Sequence, residues 1–217
     1  LILEIDPAVA EDPQFAAMLM QKAMYTDGRT LKSVLSEEAY SKLAAYAKES
    51  GTPLELFNGM KPGMVVMMVV MQELAKVGVS LEGVDMHYAK RAKKDGKTIG
   101  ELETAESQLD ILLESAEGKE SEFVLYSLKD LDQLETMFDQ LITVWRKGDL
   151  EGLDRIFLKE IKAYPEIYEE FLVQRNRNWI PKIEAMFKTP ETEFVLFGVG
   201  HASGENGVLA MLKERGY

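Results

Sequence analysis

The sequence predicts an α/β protein: a small central, mostly parallel sheet with strands near both termini and near residue 99, covered by many helices, with a large helical insertion at about residues 119–188. Three observations carry this. Apolar runs without polar alternation stand at residues 1–5 and 193–197, the pattern of strands covered on both faces. A shorter strand-like run lies at residues 98–102, and almost everything between the three has helical spacing. A chain of 217 residues buries about 70% of the surface its unfolded form exposes, so residues 1–217 read as a single domain with one sizeable core.

The chain opens inside Leu-Ile-Leu-Glu4-Ile-Asp6, with no initiator Met and no basic n-region or apolar h-region, which reads as a fragment lacking an upstream part. Ser36 is an N-cap, Glu37 and Glu38 complement the first turn, and Gly51 and Pro53 stop that helix. Pro62 opens the next, which ends near Gly78. Its Met64, Met67, Met68 and Met71 read as core packing. The apolar run at 64–71 is far short of the roughly 20 residues a membrane helix needs. Residues 85–94 form a basic-faced helix closed by Asp95-Gly96, with His87 on its surface. The strand at 98–102 follows, and Thr104 caps a helix through Leu113.

From about 128 to 187 the pattern is helical. Leu131, Leu134, Phe138, Leu141 and Val144-Trp145 mark one buried face, and Gly148-Asp149 breaks the helix. Pro165 and Pro181 belong in first turns or kinks. The strand at 193–197 then runs into Gly198-Val199-Gly200-His201, a loop, and a last helix at 207–215.

Composition excludes several functions. With 25 Lys+Arg against 37 Asp+Glu the net charge is −12, which argues against a nucleic-acid partner and against docking on anionic membranes. The absence of cysteine removes disulfides, thiolate zinc sites, iron–sulfur clusters and cysteine nucleophiles. No GxSxG, HExxH or P-loop occurs. Gly198-x-Gly200-x-x-Ser203 lacks the third glycine of a dinucleotide fingerprint, and too little chain follows it to complete that fold.

The candidate chemistry rests on four places. His201 leaves a buried-type strand through two glycines, where open α/β sheets present reactive groups. It can be a base, a metal ligand or a locally bonded turn residue. Glu4 ends an apolar strand, where a carboxylate must be paired, protonated, metal-bound or turned to solvent at an edge. Glu103 either joins it or complements a helix dipole. Arg175-Asn176, within Arg-Asn-Arg177-Asn-Trp179, either reaches inward to hold a carboxylate or oxyanion, or belongs to a solvated patch balancing Glu169-Glu170.

The closing stretch, Gly198-x-x-His201 followed by Gly204-x-x-Gly207 and a helix ending Gly216-Tyr217, resembles the signature of the TraB/GumN family. That family includes the Tiki metalloproteases and is more distantly similar to erythromycin esterases and ChaN-type haem-binding lipoproteins. Three further blocks fit in order. They are the acidic strand with Glu4 and Asp6, then Gly83-x-Asp85 … Gly96-Lys97 … Leu102-Glu103-Thr104 … Gln108, then Arg175-Asn176 with Trp179 and Ile183. The family's first GxxH lies upstream of the acidic strand and is absent from this sequence.

The resemblance implies a metal-dependent hydrolase, most naturally of peptide bonds, with His201, Glu4, Glu103 and Arg175 as catalytic residues. His201 and Glu4 would be ligands of a divalent ion, manganese or cobalt, and Asn176, Gly198, Gly200 and Ser203 would face a peptide or small-molecule substrate. Two alternatives stand beside it: a non-catalytic ligand-binding or regulatory domain of the same fold, and a metal-free esterase using histidine as base. Residence outside the cytoplasm, or anchorage through a missing N-terminal segment, is what many family members suggest.

Overall fold

A computed structural model describes residues 1–80, 82–114, 117–129 and 131–217. Asp130, within the predicted helical stretch, lies outside them. In chain order the elements are β1 (Ile2–Leu3), α1 (Pro13–Ala23), α2 (Leu31–Val34), α3 (Glu37–Ser50), α4 (Pro62–Lys76), α5 (Val84–Lys94), β2 (Gly100–Glu101) and α6 (Ala105–Glu114). They continue as α7 (Glu120–Ser127), α8 (Leu134–Lys147), α9 (Leu150–Leu153), α10 (Lys159–Lys162), α11 (Pro165–Tyr168), α12 (Gln174–Met186) and α13 (Val208–Glu214). Two π-helical turns, Asp154–Leu158 and Glu169–Val173, interrupt the long helical stretch before α12. The protein is therefore mostly helical, with a small two-stranded parallel sheet.

The chain divides into two compact units. The first gathers Leu1–Ala10, Ser80–Gln108 and Thr136–Tyr217. Here β1 runs parallel to β2, with Ile2 opposite Gly100 and Leu3 opposite Glu101. On the other edge of β1, Ile2 forms a parallel bridge with Val195. Its N–H donates to the Phe194 carbonyl at 2.8 Å and its carbonyl accepts from Leu196 N–H at 2.9 Å. Leu102, Val173, Trp179, Ile180, Ile183, Val208 and Met211 form the core cluster over these segments, with Ile2, Val195 and Phe197 packed against it.

The second unit gathers Glu11–Val79 and Leu109–Glu135. The Ser36 hydroxyl accepts from Ala39 N–H at 3.2 Å, and Gly51 ends α3 in the left-handed region at φ 72°. Helix α7 packs on both α3 and α4, burying Leu43, Ala47, Val65, Val69 and Val124. A further cluster joins Ala23, Leu109 and Leu113, with Phe15, Met18, Leu19 and Met64 against it. Among the described residues no helix is long and apolar enough to cross a membrane.

Five local expectations need correction. The predicted strand at 193–197 is an extended segment joined by a single bridge, because at its far end a side chain takes the N–H that would have continued the ladder (Gly198, below). The strand at 98–102 shrinks to Gly100–Glu101. On α4 the buried face belongs to Pro62, Val65, Val66 and Val69; Met64 and Met67 are half-buried, Met64 against the Leu109 cluster, while Met68 and Met71 are exposed, since helical spacing turns them away from that face. On α8 no described residue is fully buried, and Leu141 of its apolar face instead lines an open cleft. The two prolines part ways: Pro165 opens α11, while Pro181 sits inside α12, which continues through it.

Helix α4 approaches α6 at Gly63. A Cβ there would stand 2.3 Å from the Leu112 carbonyl oxygen and 2.9 Å from the Leu113 Cα, both backbone atoms that cannot swing aside. Gly63→Ala should therefore lower stability by about 1–3 kcal/mol despite its gain in helix propensity. Urea unfolding measures this, and an unchanged or raised midpoint would contradict the close approach.

Candidate functional site

The site is built where β1 ends. The Glu4 carbonyl accepts from Glu103 N–H at 3.0 Å, just past the end of the β1–β2 ladder. On the opposite edge its carboxylate replaces the backbone: Oε1 accepts from Gly198 N–H at 2.6 Å. Glu4 Oε2 accepts from Arg175 Nη2 at 2.6 Å and from Gln108 Nε2 at 3.1 Å. Gln108 Nε2 also donates to Glu103 Oε1 at 3.0 Å, so one amide bridges both carboxylates.

Arg175 completes the knot. Its Nη2 bonds Glu103 as well as Glu4, its Nε lies 3.1 Å from Glu103 Oε2, and its Nη1 donates to the Phe171 carbonyl at 3.0 Å. The side chains of Arg175, Glu4 and Glu103 are only 10%, 17% and 9% exposed, so this is a buried network and not a surface pair. The solvated-patch reading fails for Arg175 and holds for its neighbour: exposed Arg177 pairs with Glu169. Spacing explains the split. Val173, Asn176, Trp179, Ile180 and Ile183 form the inward stripe of the helix, and Arg175 borders it one turn before Trp179, 5.1 Å from that ring.

His201 closes a short 3₁₀ turn, Val199–His201, whose last N–H returns to the Gly198 carbonyl at 2.9 Å. It is 4% exposed, with its ring 4.3 Å from that of Trp179. Its Nδ1 lies 2.6 Å from Asn176 Oδ1, while Asn176 Nδ2 donates to the Asn206 carbonyl at 2.7 Å. Burial, and then the Arg175 charge, push the His201 pKa down to about 3, so the ring is neutral near pH 7. Its Nε2 has no hydrogen bond among the described residues.

Glycine at 198 leaves room between the two groups. A Cβ at that position would stand 3.1 Å from Glu4 Oε1 and 3.9 Å from His201 Cδ2, so carboxylate and imidazole edge flank the same small space. They open on a cleft of about 360 Å³ walled by Leu141, Phe157, Ile161, Phe171 and Leu172. Gly200 lets the Phe157 ring close over the turn, since a Cβ there would meet its Cε1 at 2.5 Å. Ser203 is buried and its hydroxyl, like Trp179 Nε1, has no partner among the described residues. His87 stands apart, exposed beside Tyr88.

Glu4, Glu103, Arg175, Asn176, Gly198, Gly200 and His201 thus meet at one place. Gln108 and Trp179 belong there too and were not among the expected site residues. For Trp179 the signal is helical phase, one turn after Arg175, whereas Gln108 is marked only by its place in the Leu102-Glu103-Thr104 … Gln108 stretch. Among the described residues, the Glu4 Oε1 atom and the Cδ2 edge of the His201 ring stand beside the space at Gly198, where a carboxylate and an imidazole could hold a metal ion. Among the described residues no group of three or more His, Asp or Glu side chains gathers to complete a shell.

Removing the guanidinium leaves two carboxylates buried together without a counter-charge. Arg175→Leu should lose about 3–5 kcal/mol of stability in urea unfolding, and a loss under about 1 kcal/mol would contradict the network. His201 carries a pH signature. Between pH 6.5 and about 3 the unfolded ring takes up a proton and the folded ring does not. Its contribution to stability is thus complete above pH 6.5 and falls as pH drops towards 3, with a slope of up to about 1.4 kcal/mol per pH unit. His201→Gln should flatten the acid limb of the stability profile, and an unaltered slope would show a ring that titrates normally.

Residues 1–217 match the model of the TraB/PrgY/gumN family. Proteins from Escherichia coli (strain K12) and Shigella flexneri, both named uncharacterized protein YbaP, are each 26% identical over 214 residues, covering 98% of this chain and 76% of theirs. No solved structure matches. With the family match running from the acidic strand of Glu4 through His201 to the last residue, the chain belongs to the TraB/PrgY/gumN family.

Proposed function

We propose that the cleft hydrolyses peptide bonds with the help of a divalent metal ion, manganese or cobalt, held on this chain by His201 Nε2 and Glu4 Oε1. The observation that carries the reading is the pair itself: a neutral imidazole with its Nδ1 already engaged, and a clamped carboxylate, on either side of the space at Gly198. The ion, when bound, lowers the pKa of a water and polarises a carbonyl. Its remaining ligands would come from outside the described residues, and the family's first GxxH is the natural source.

The chain's own residues divide the rest. Gln108, Arg175 and Gly198 N–H hold the Glu4 carboxylate in one orientation. Arg175 spends its Nε and Nη2 hydrogens on the two glutamates and one Nη1 hydrogen on Phe171, so its other Nη1 hydrogen is the donor left for a developing oxyanion. Glu103, held by Arg175 and Gln108, fixes the guanidinium. The apolar walls keep water from the scissile group and receive a side chain of the substrate.

The low basicity of His201 supports this reading over the esterase alternative, because a base with a pKa of about 3 drives little proton transfer near neutrality. The test uses the protein extended to include the first GxxH. Elemental analysis and calorimetry with Mn²⁺, Co²⁺ and Zn²⁺ should give stoichiometric binding that His201→Ala abolishes, and a peptide library should be cut in a chelator-sensitive way. Full metal binding and hydrolysis by His201→Ala would overturn the proposal. Cleavage indifferent to chelator would point to histidine acting alone.

A further inference from the structure

Asn176 is 1% exposed and spends its whole carboxamide on two partners. The Asn206 partner is a main-chain carbonyl oxygen, 2.7 Å away, and such an atom only accepts. The Asn176 atom facing it must be the nitrogen, which leaves Oδ1 facing His201 Nδ1 at 2.6 Å. An amide oxygen has no hydrogen to give, so the hydrogen in that short contact belongs to the ring. A neutral imidazole carries only one. With Nδ1 protonated, Nε2 is the lone-pair nitrogen.

The acceptor that orients Asn176 is itself fixed. Asn206 lies in the tight loop between His201 and α13, where Gly207 N–H donates to the Gly204 carbonyl at 3.1 Å. Gly207 packs so closely that a Cβ would stand 2.5 Å from the Ser203 carbonyl oxygen and 2.6 Å from that of Ala202. Asn176 itself stands on the rigid inward stripe of α12. By contrast Asn178, two residues on, is exposed, and its side-chain oxygen accepts from Gln174 Nε2 at 3.0 Å.

We infer that Asn176 is a positioning residue, which locks His201 in the Nδ1–H tautomer through its side-chain oxygen and so keeps Nε2 as the lone-pair nitrogen at the cleft. The inference rests on the reading of His201 Nε2 as the functional atom, and it gives Asn176 a task other than touching substrate. A purely structural amide would tie α12 to the loop without governing which ring nitrogen is protonated.

The chain has only two histidines, so the test is direct. Ring ¹⁵N spectra of histidine-labelled protein at pH 7, with His87→Gln to identify the second ring, report which nitrogen of His201 carries hydrogen. Wild type should show a protonated Nδ1 and a bare Nε2. Asn176→Asp in its protonated form retains both the oxygen facing the ring and a hydrogen for the Asn206 carbonyl, and should keep that pattern. Asn176→Leu removes it and should shift the ring towards Nε2–H, with an Mn²⁺ affinity about 10- to 100-fold weaker in the GxxH-extended protein. A wild-type ring protonated at Nε2, or an Asn176→Leu ring still protonated at Nδ1 in a folded protein, would overturn the inference. If Asn176→Leu does not fold, the wild-type and Asn176→Asp spectra still decide it. Absence of Mn²⁺ binding in wild type with the tautomer pattern intact would refute the metal reading and leave this one standing.

Discussion

One guanidinium holds the first unit's site together. Arg175 touches a carboxylate from the end of β1, a carboxylate from the segment after β2, and a carbonyl of its own helical stretch. Those partners are 171, 72 and 4 residues away in sequence, so the contact ties the start of the chain to its late helices, beside the Glu4–Gly198 bond that spans 194 residues. Coulomb attraction in a poorly solvated place offsets the cost of burying the three charges only because nearly every lone pair is also hydrogen-bonded. Gln108 and Gly198 N–H supply what Arg175 cannot. The carboxylate of Glu4 then does what a strand backbone would otherwise do, receiving the N–H of Gly198 and ending the sheet there.

The helical stretch before α12 is shaped to serve this contact. In the π turn Glu169–Val173 the Gln174 N–H bonds the Glu169 carbonyl, five residues back instead of four. That extra residue rotates everything after it, and π turns of this kind recur where a helix must present particular side chains. Here it precedes the run Arg175-Asn176 with Trp179, whose side chains reach Glu4, Glu103 and His201. The Phe171 carbonyl inside the turn accepts from Arg175 Nη1, so the irregular backbone also steadies the guanidinium it positions.

Much of this could be read along the chain. A glutamate at the end of an apolar strand and a histidine after a strand-to-turn Gly-x-x-His are local signals, because burial makes an ionisable group there costly and therefore partnered. The Ser36 and Thr104 caps were equally local. Gln108 was not legible as a site residue. Its role is defined by Glu4, 104 positions earlier, and an amide on a helix carries no sign of what it will meet. The same holds for the α8 stripe, whose period marks an apolar face but not whether another element or an open cleft lies against it. The strand at 193–197 fell short for a tertiary reason, since sequence pattern counts apolar residues and cannot foresee a side chain taking the place of a ladder bond.

The two halves of the site are electrically complementary. Arg175 compensates the carboxylates, and the same positive charge, added to burial, opposes a proton on His201. Mutual accommodation follows: the residue that holds the Glu4 carboxylate in place also keeps the histidine neutral, and Trp179 lies against both, 4.3 Å from the imidazole and 5.1 Å from the guanidinium. A neutral imidazole with one nitrogen committed to Asn176 has a single lone pair to offer, and its burial beside Gly198 directs that offer towards the space Glu4 shares. Such an arrangement favours donation to an electrophile over proton abstraction from a weak acid, because the basicity that abstraction needs has been removed by the surroundings that make the site specific.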